Sequence, residues 1–185
     1  MKTLRLILLY LTKKRARAQG EVKEKKQGNT KEQKAQGKIG LQVECQNTEK
    51  KWSKLEDMKC RKAIMEGSGA DVAVTIHMNC FKTDSTVRGA QVFYPKTGNA
   101  EILAASEALA ETVQTALVKG LNDGSNRVQM GRGEVYLLEN PPIPVILAEC
   151  GFLSNPEDLG RLKQTAWQQK IATCILDGIE ACTEI

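Results

Sequence analysis

A single histidine, His77, stands in 185 residues, and that scarcity excludes a multi-histidine zinc centre, since a catalytic zinc usually takes three protein ligands. Aromatic residues make up only 4% of the chain. None interleaves the basic residues near the amino terminus to stack on bases, so no specific nucleic-acid partner is expected. No apolar run reaches the roughly 20 residues that a membrane-spanning helix needs. The six cysteines, at 45, 60, 80, 150, 174 and 182, include no C-x-x-C pair. A chain of this size needs no disulfide staples, so most of them read as free thiols in or near the core. No internal repeat is visible.

Charge is unevenly spread. Met1 to Lys51 carries 14 Lys plus Arg against 5 Glu, a net of +9, and the whole chain carries +5, which leaves −4 for the remainder. Between Thr12 and Lys38 the only large aliphatic is Val22, too little apolar surface to offset the entropy of ordering. Residues 1–51 are therefore expected to be a basic, disordered or loosely helical segment, drawn weakly at most to anionic surfaces. Met1 to Leu11 has the outline of a secretory signal, but Arg5 interrupts its apolar stretch and Lys13, Lys14 and Arg15 follow where a cleavage site belongs. No signal peptide is expected.

From Trp52 onward, helical and strand patterns alternate, which predicts an α/β layered fold. Trp52 to Glu66 has near-helical spacing, stopped by Gly67-Ser68-Gly69. Asp71 to His77, Ala90 to Tyr94 and Val145 to Glu149 read as buried strands, and Val135 to Leu138 as a short fourth. Asn99 caps a long helix closing near Gly120. Leu121 to Gly133 is a Gly/Asn/Arg-rich loop, long enough to be functional. Asn155 caps another helix with Pro156 at its first position, and Thr165 with Gln168 forms a capping box for the last, whose core face is Trp167, Ile171, Ile175 and Ile179.

His77 and Glu149 end two of these strands, and ligands in open α/β sheets collect at the carboxyl ends of strands. A histidine and a glutamate there point to a metal ligand and a proton acceptor. Taken alone, His77 reads as a satisfied core histidine. Glu149 is costly at the end of a buried strand unless it has partners or a task. Cys150 beside it reads as a buried hydrophobe.

The motifs go further. Asp57-Met58-Lys59-Cys60-Arg61 followed by Ala70 to Asn79 resembles the arginine-bearing helix and S-I-H-x-N strand end of the zinc-dependent N-acetylmuramoyl-L-alanine amidases of bacterial cell-wall metabolism. Gly89-Ala90-Gln91-Val92-Phe93-Tyr94 resembles that family's G-x-x-V-F-Y strand, and Pro144 to Asn155 its V-E-x-G-F-x-S-N motif. The Asp-Met-Lys-x-Arg stretch and the Glu-Cys-Gly-Phe-Leu-Ser-Asn ending look most like the spore-cortex amidases of spore-forming Firmicutes. The resemblance covers roughly Trp52 to Ile185. It implies a central mixed, mainly parallel sheet flanked by helices, one zinc ion, and hydrolysis of the amide between N-acetylmuramic acid and L-alanine in peptidoglycan. It makes His77 a zinc ligand and Glu149 the general base and acid, with Asn79 and Arg127 as substrate-binding residues and a muropeptide as the partner. Members of the family are exported to the cell envelope or forespore.

The chain departs from the family at its start. The P-G-H-G-G loop that supplies a zinc histidine is absent, and none of Glu21, Glu24, Glu32, Glu44 and Glu49 sits in the context of the ligating glutamate. The expectation is an amino-terminally incomplete domain over 52–185 that lacks a strand and helix, with 1–51 unrelated to the family through a frameshift or mis-called start. Two ligands short, it is expected to be an impaired amidase, the alternative being a non-catalytic peptidoglycan-binding or regulatory remnant.

Overall fold

The computed structural model describes residues 4–10, 39–44 and 53–182. One six-stranded sheet organises them: β1 (Leu4–Tyr10), β2 (Ile39–Glu44), β3 (Val72–Asn79), β4 (Gln91–Pro95), β5 (Met130–Arg132) and β6 (Val145–Phe152), in the order β2-β1-β3-β6-β4-β5. β2, β1, β3 and β6 run parallel, β4 is antiparallel to β6, and β5 is parallel to β4. The mixed, mainly parallel α/β sheet flanked by helices is as the sequence implied. Four helices accompany it: α1 (Lys54–Gly67), α2 (Ala100–Leu121), α3 (Pro156–Leu162) and α4 (Thr165–Ala181).

Strand alternation divides the core in two. Val72, Val74, Val92, Ile146, Ala148 and Cys150 face one way and pack with Leu109, Val113, Leu117, Ile171, Ile175 and Ile179 of α2 and α4. Ala73, Phe93, Val145 and Leu147 face the other way, against Met65 of α1 and Leu137 and Leu138. Both faces of β3 and β6 are covered, which is why their sequences are continuously apolar.

Four expectations are corrected. First, the amino-terminal segment does supply strands: Leu6 to Tyr10 of β1 pair with Val72 to Ile76, and β2 lies beyond β1. The flank of β3 that a missing strand would leave open is therefore covered. Leu4 to Tyr10 reads as a strand because it is apolar enough to line a parallel sheet, even with Arg5 in it. The disorder expected for Thr12 to Lys38 lies outside the described residues. Second, the functional loop contains β5, whose Met130 and Arg132 pair with Phe93 and Pro95. Third, Val135 to Leu138 forms no strand but a 3-10 turn over Tyr136–Leu138, with Leu138 N–H donating to Val135 O at 2.7 Å. A strand would send Leu137 and Leu138 to opposite sides, whereas the turn buries both on the α1 face. Fourth, Thr165 and Gln168 make no capping box: Gln164 is the N-cap, without a side-chain bond, and Gln168 Nε2 donates instead to Leu162 O at 2.9 Å.

Elsewhere local chemistry does what its residues dictate. Ser53 and Glu56 form a reciprocal capping box on α1, and Asn99 caps α2, which ends on Asn122 in the left-handed conformation at φ 46°. Asn155 accepts from the amides of Glu157 and Asp158 with Pro156 following, as expected. The fully buried residues of α1 are Arg61 and Met65, with Met58 and Ile64 partly buried against the same core and Leu55 exposed. Arg61 tolerates burial because its Nε and Nη2 donate to both oxygens of Asp57, at 3.0 and 3.2 Å.

Candidate functional site at the carboxyl ends of the central strands

His77 of β3 is the register partner of Glu149 of β6, and Glu149 is in turn the partner of Gln91 on β4. Register partners on adjacent strands point to the same face, so His77, Glu149 and Gln91 form one row across three strands on the α1 side of the sheet. The sequence could not give this row, because 72 residues separate His77 from Glu149 and only the pairing fixes the register. Beyond His77 the register shifts, and Asn79 stands opposite Phe152. Asn79 Oδ1 accepts from Cys80 N–H at 2.8 Å and its carbonyl from Leu153 N–H at 2.8 Å, which shapes the turn leaving β3.

Glu149 is mostly buried, and burial pushes its carboxyl up to about 7, with the positive charge of Arg132 pulling the other way. Its Oε2 is buried with no hydrogen-bond partner among the described residues. An orphaned buried acceptor is costly, so this oxygen is best satisfied by water or substrate. Cys150, next in the chain, faces the opposite core, where burial and then the charge of Glu149 push its thiol up to about 12. It is an inert thiol, as its hydrophobic context suggests. Cys80, Cys150, Cys174 and Cys182 form no disulfide among the described residues.

Arg127 is turned inward. Its Nε donates to Arg88 O at 2.6 Å and its Nη1 to Gln91 Oε1 at 2.9 Å, while the guanidinium lies 4.7 Å from the Phe152 ring centroid. Gln91 Nε2 donates to Val128 O at 3.1 Å. Arg127 and Gln91 together clamp the loop before β5 to the wall of the site. The signal for Gln91 was present in the alternation of Gly89 to Tyr94, which places it on the same face as Phe93.

The start of α3 anchors the end of β6 to the residues that precede β4. Asp158 is buried, and its Oδ2 accepts from Gly89 N–H at 2.9 Å and Phe152 N–H at 2.8 Å. Gly151, at φ 142°, passes so close to this carboxylate that a Cβ there would meet Asp158 Oδ2 at 3.2 Å, which is why the glutamate's strand continues into glycine. Asp158→Ala leaves two amide donors without their acceptor and is expected to lower stability by about 2–4 kcal/mol in urea unfolding. An unchanged midpoint would show that the carboxylate is dispensable to this anchor.

A metal is a further matter. Among the described residues no group of three His, Cys, Asp or Glu side chains could hold an ion. β1 ends with Tyr10 beside Ile76, one position short of His77, and the next residues, Leu11 to Gly20, contain no His, Cys, Asp or Glu. A hydrolytic zinc needs three protein ligands. The described side chains do not fit one by themselves.

The comparisons with known proteins agree with this architecture. The family model described as N-acetylmuramoyl-L-alanine amidase matches residues 16–181. The chain belongs to that family. The match begins well before Trp52, so it takes in much of the segment that the motifs leave out. The family is generally zinc-dependent. Among its relatives, the germination-specific N-acetylmuramoyl-L-alanine amidase of Bacillus subtilis (strain 168) is 32% identical over 126 residues, covering 68% of this chain and 50% of that protein. The amidase LytC of the same organism is 31% identical over 109 residues, 59% of this chain and 21% of that protein. The chain thus spans half or less of the length of these curated relatives. The CwlD amidase of Clostridioides difficile, solved in complex with the GerS lipoprotein, is 32% identical with a TM-score of 0.68, covering 77% of this chain and 74% of that one. A second N-acetylmuramoyl-L-alanine amidase, from Clostridium difficile 630, is 27% identical with a TM-score of 0.66 over 79% and 73% of the two chains.

Proposed function

We propose that this chain acts on peptidoglycan as an N-acetylmuramoyl-L-alanine amidase with impaired turnover, and that Glu149 is its general base and acid. The observation that carries this reading is the row His77–Glu149–Gln91 at the carboxyl ends of β3 and β6, with the buried Glu149 Oε2 unpartnered among the described residues. A carboxyl titrating near 7 takes a proton from an attacking water and returns it to the departing alanine amine with little driving force lost in either direction. Asn79 shapes the floor beside it, and Arg127 holds the loop that flanks it, with the remaining donors of its guanidinium left for a substrate carboxylate. His77 stands where the family resemblance places one zinc ligand. The shortage of further ligands among the described residues is the reason for proposing impaired turnover.

The second reading, a peptidoglycan-binding remnant without turnover, is favoured by that same shortage. The two are separated by incubating the protein with muramidase-digested peptidoglycan and following peptides with a new amino-terminal alanine by mass spectrometry, with micromolar zinc and with chelator. Slow release that chelator abolishes is the expected result. Muropeptide binding without release in either condition would establish the remnant, and neither binding nor release would overturn both.

A further inference from the structure

Five arginines lie among the residues whose side chains are described, and four of them already have hydrogen-bond or ion-pair partners. Arg61 is paired with Asp57, Arg88 and Arg161 with Glu157, and Arg127 is bonded to Arg88 O and Gln91. Arg132 differs. It is exposed, and no hydrogen bond or ion pair joins it to any other described residue. It is nonetheless held in place: its guanidinium lies 4.7 Å from the centroid of the Phe93 ring, and Phe93 is fixed in the core between β4 and the α1 side. Such a cation–π contact uses none of the N–H donors of the guanidinium, and the exposure of the side chain leaves them to solvent.

Its place in the sheet is equally specific. Met130 and Arg132 of β5 are the register partners of Phe93 and Pro95 of β4, so Arg132 projects from the same face as Phe93, Gln91 and Glu149. Its charge reaches Glu149. No carboxylate of the chain stands at hydrogen-bond distance from it among the described residues. An oriented, unpaired fork beside a buried carboxylate is poorly explained as a solubility charge. It fits a second, incoming carboxylate, bound bidentately and kept off the general base.

We propose that Arg132 is a substrate-binding residue that receives a free carboxylate of the stem peptide, fixing the peptide along β5 while the scissile amide lies over Glu149. A stem peptide supplies such groups, at its γ-linked glutamate and at its carboxyl end, and an aromatic-backed guanidinium on the edge strand selects the acidic over the amidated form. The assignment rests on the peptidoglycan reading above and deepens it by naming the chemical class preferred.

The test is binding, measured by calorimetry on the full chain with two probes: N-acetylmuramoyl-L-alanyl-γ-D-glutamyl-L-lysine and the same compound amidated at the glutamate and lysine carboxyls. The wild type is expected to bind the acid more tightly, with that preference shrinking between 50 and 500 mM salt. R132Q is expected to lose about tenfold or more in affinity for the acid and to bind the amide as the wild type does, with R132K in between. Unchanged thermal melting would confirm that R132Q is folded. Equal affinity of wild type and R132Q for the acid, or equal loss for both probes, would overturn the assignment while leaving the peptidoglycan reading intact. A wild type that binds neither probe would defeat that reading, and the role of Arg132 with it.

Discussion

Glu149→Gln is expected to lower amide hydrolysis by about 10²–10⁴-fold and, at the same time, to make the protein more stable above neutral pH. The second effect follows from the direction of the titration. The carboxyl is raised from 4.5 to about 7 by burial, so the folded state keeps a proton that the unfolded chain has already released. Below pH 4.5 both states are protonated and the group contributes nothing. As pH rises from 4.5 towards 7 the folded state holds more protons than the unfolded one, so stability falls, and above 7 the full cost is present. Glu149 retains some contact with solvent, which reduces that cost to about 2 kcal/mol. Glutamine does not ionise. Thermal unfolding in metal-free buffer should show E149Q and wild type melting together at pH 4 and E149Q melting several degrees higher at pH 8. Parallel pH profiles would show that Glu149 is well solvated, and with that the physical basis for a base titrating near 7 would be lost. A variant that hydrolyses as fast as wild type would remove Glu149 from the chemistry altogether.

Gly178→Ala is expected to force the α2–α4 contact apart. Gly178 lies where α4 crosses α2, and a Cβ there would fall on Val113 Cα, with Val113 N at 2.9 Å and Thr112 O at 3.0 Å. All three are backbone atoms of a helix, so no rotamer change relieves the contact, and the helices must move apart across a core containing Leu109, Val113, Leu117, Ile175 and Ile179. Alanine gains about 1 kcal/mol of helix propensity over glycine, while overpacking of this kind costs about 1–3 kcal/mol and occasionally more. With a Cβ falling on backbone atoms the cost lies at the upper end, so a net loss of up to about 2 kcal/mol is expected, or up to roughly 4–8 °C in melting temperature for a chain of this size. Gly160 supplies the control. It lies in α3, exposed, with nothing within 4 Å of an added Cβ, so G160A should gain up to about 1 kcal/mol. Circular dichroism melts of the two variants should move in opposite directions, and a rise for both would mean that the α2–α4 contact is looser than its geometry.

Much of the fold was legible because its signals are local. Asn99 and Asn155 cap the helices they precede, since a short polar side chain before an apolar periodic run has little else to satisfy. The runs ending at His77 and Glu149 read as buried strands because both their faces are apolar. The errors arose where a tertiary neighbour decided. Val135 to Leu138 has strand-like residues, yet burying Leu137 and Leu138 on one face required a tight turn. Met130-Gly131-Arg132 has no strand signal and became one because β4 offered an open edge. Leu4 to Tyr10 was read against the pattern of a secretory signal, and its place beside β3 is a matter of pairing over more than 60 residues of chain. The helix α1 shows the same limit, since its spacing gave no hint that Arg61, neutralised by Asp57, would be buried alongside Met65.

The candidate site divides in the same way. By itself the sequence determined which residues have the chemistry: one histidine and one glutamate at strand ends, an inert cysteine beside the glutamate, and motifs of an amidase family. Those are properties of side chains and of short-range order along the chain, so they need no structure to be read. Only the tertiary structure decided what those residues do together. Strand register set His77, Glu149 and Gln91 in one row, burial gave Glu149 its raised titration, and the pairing of β5 with β4 turned Arg127 inward and left Arg132 facing out. Register, burial and facing are relations between segments far apart in sequence, and the free energy that selects them belongs to the assembled sheet.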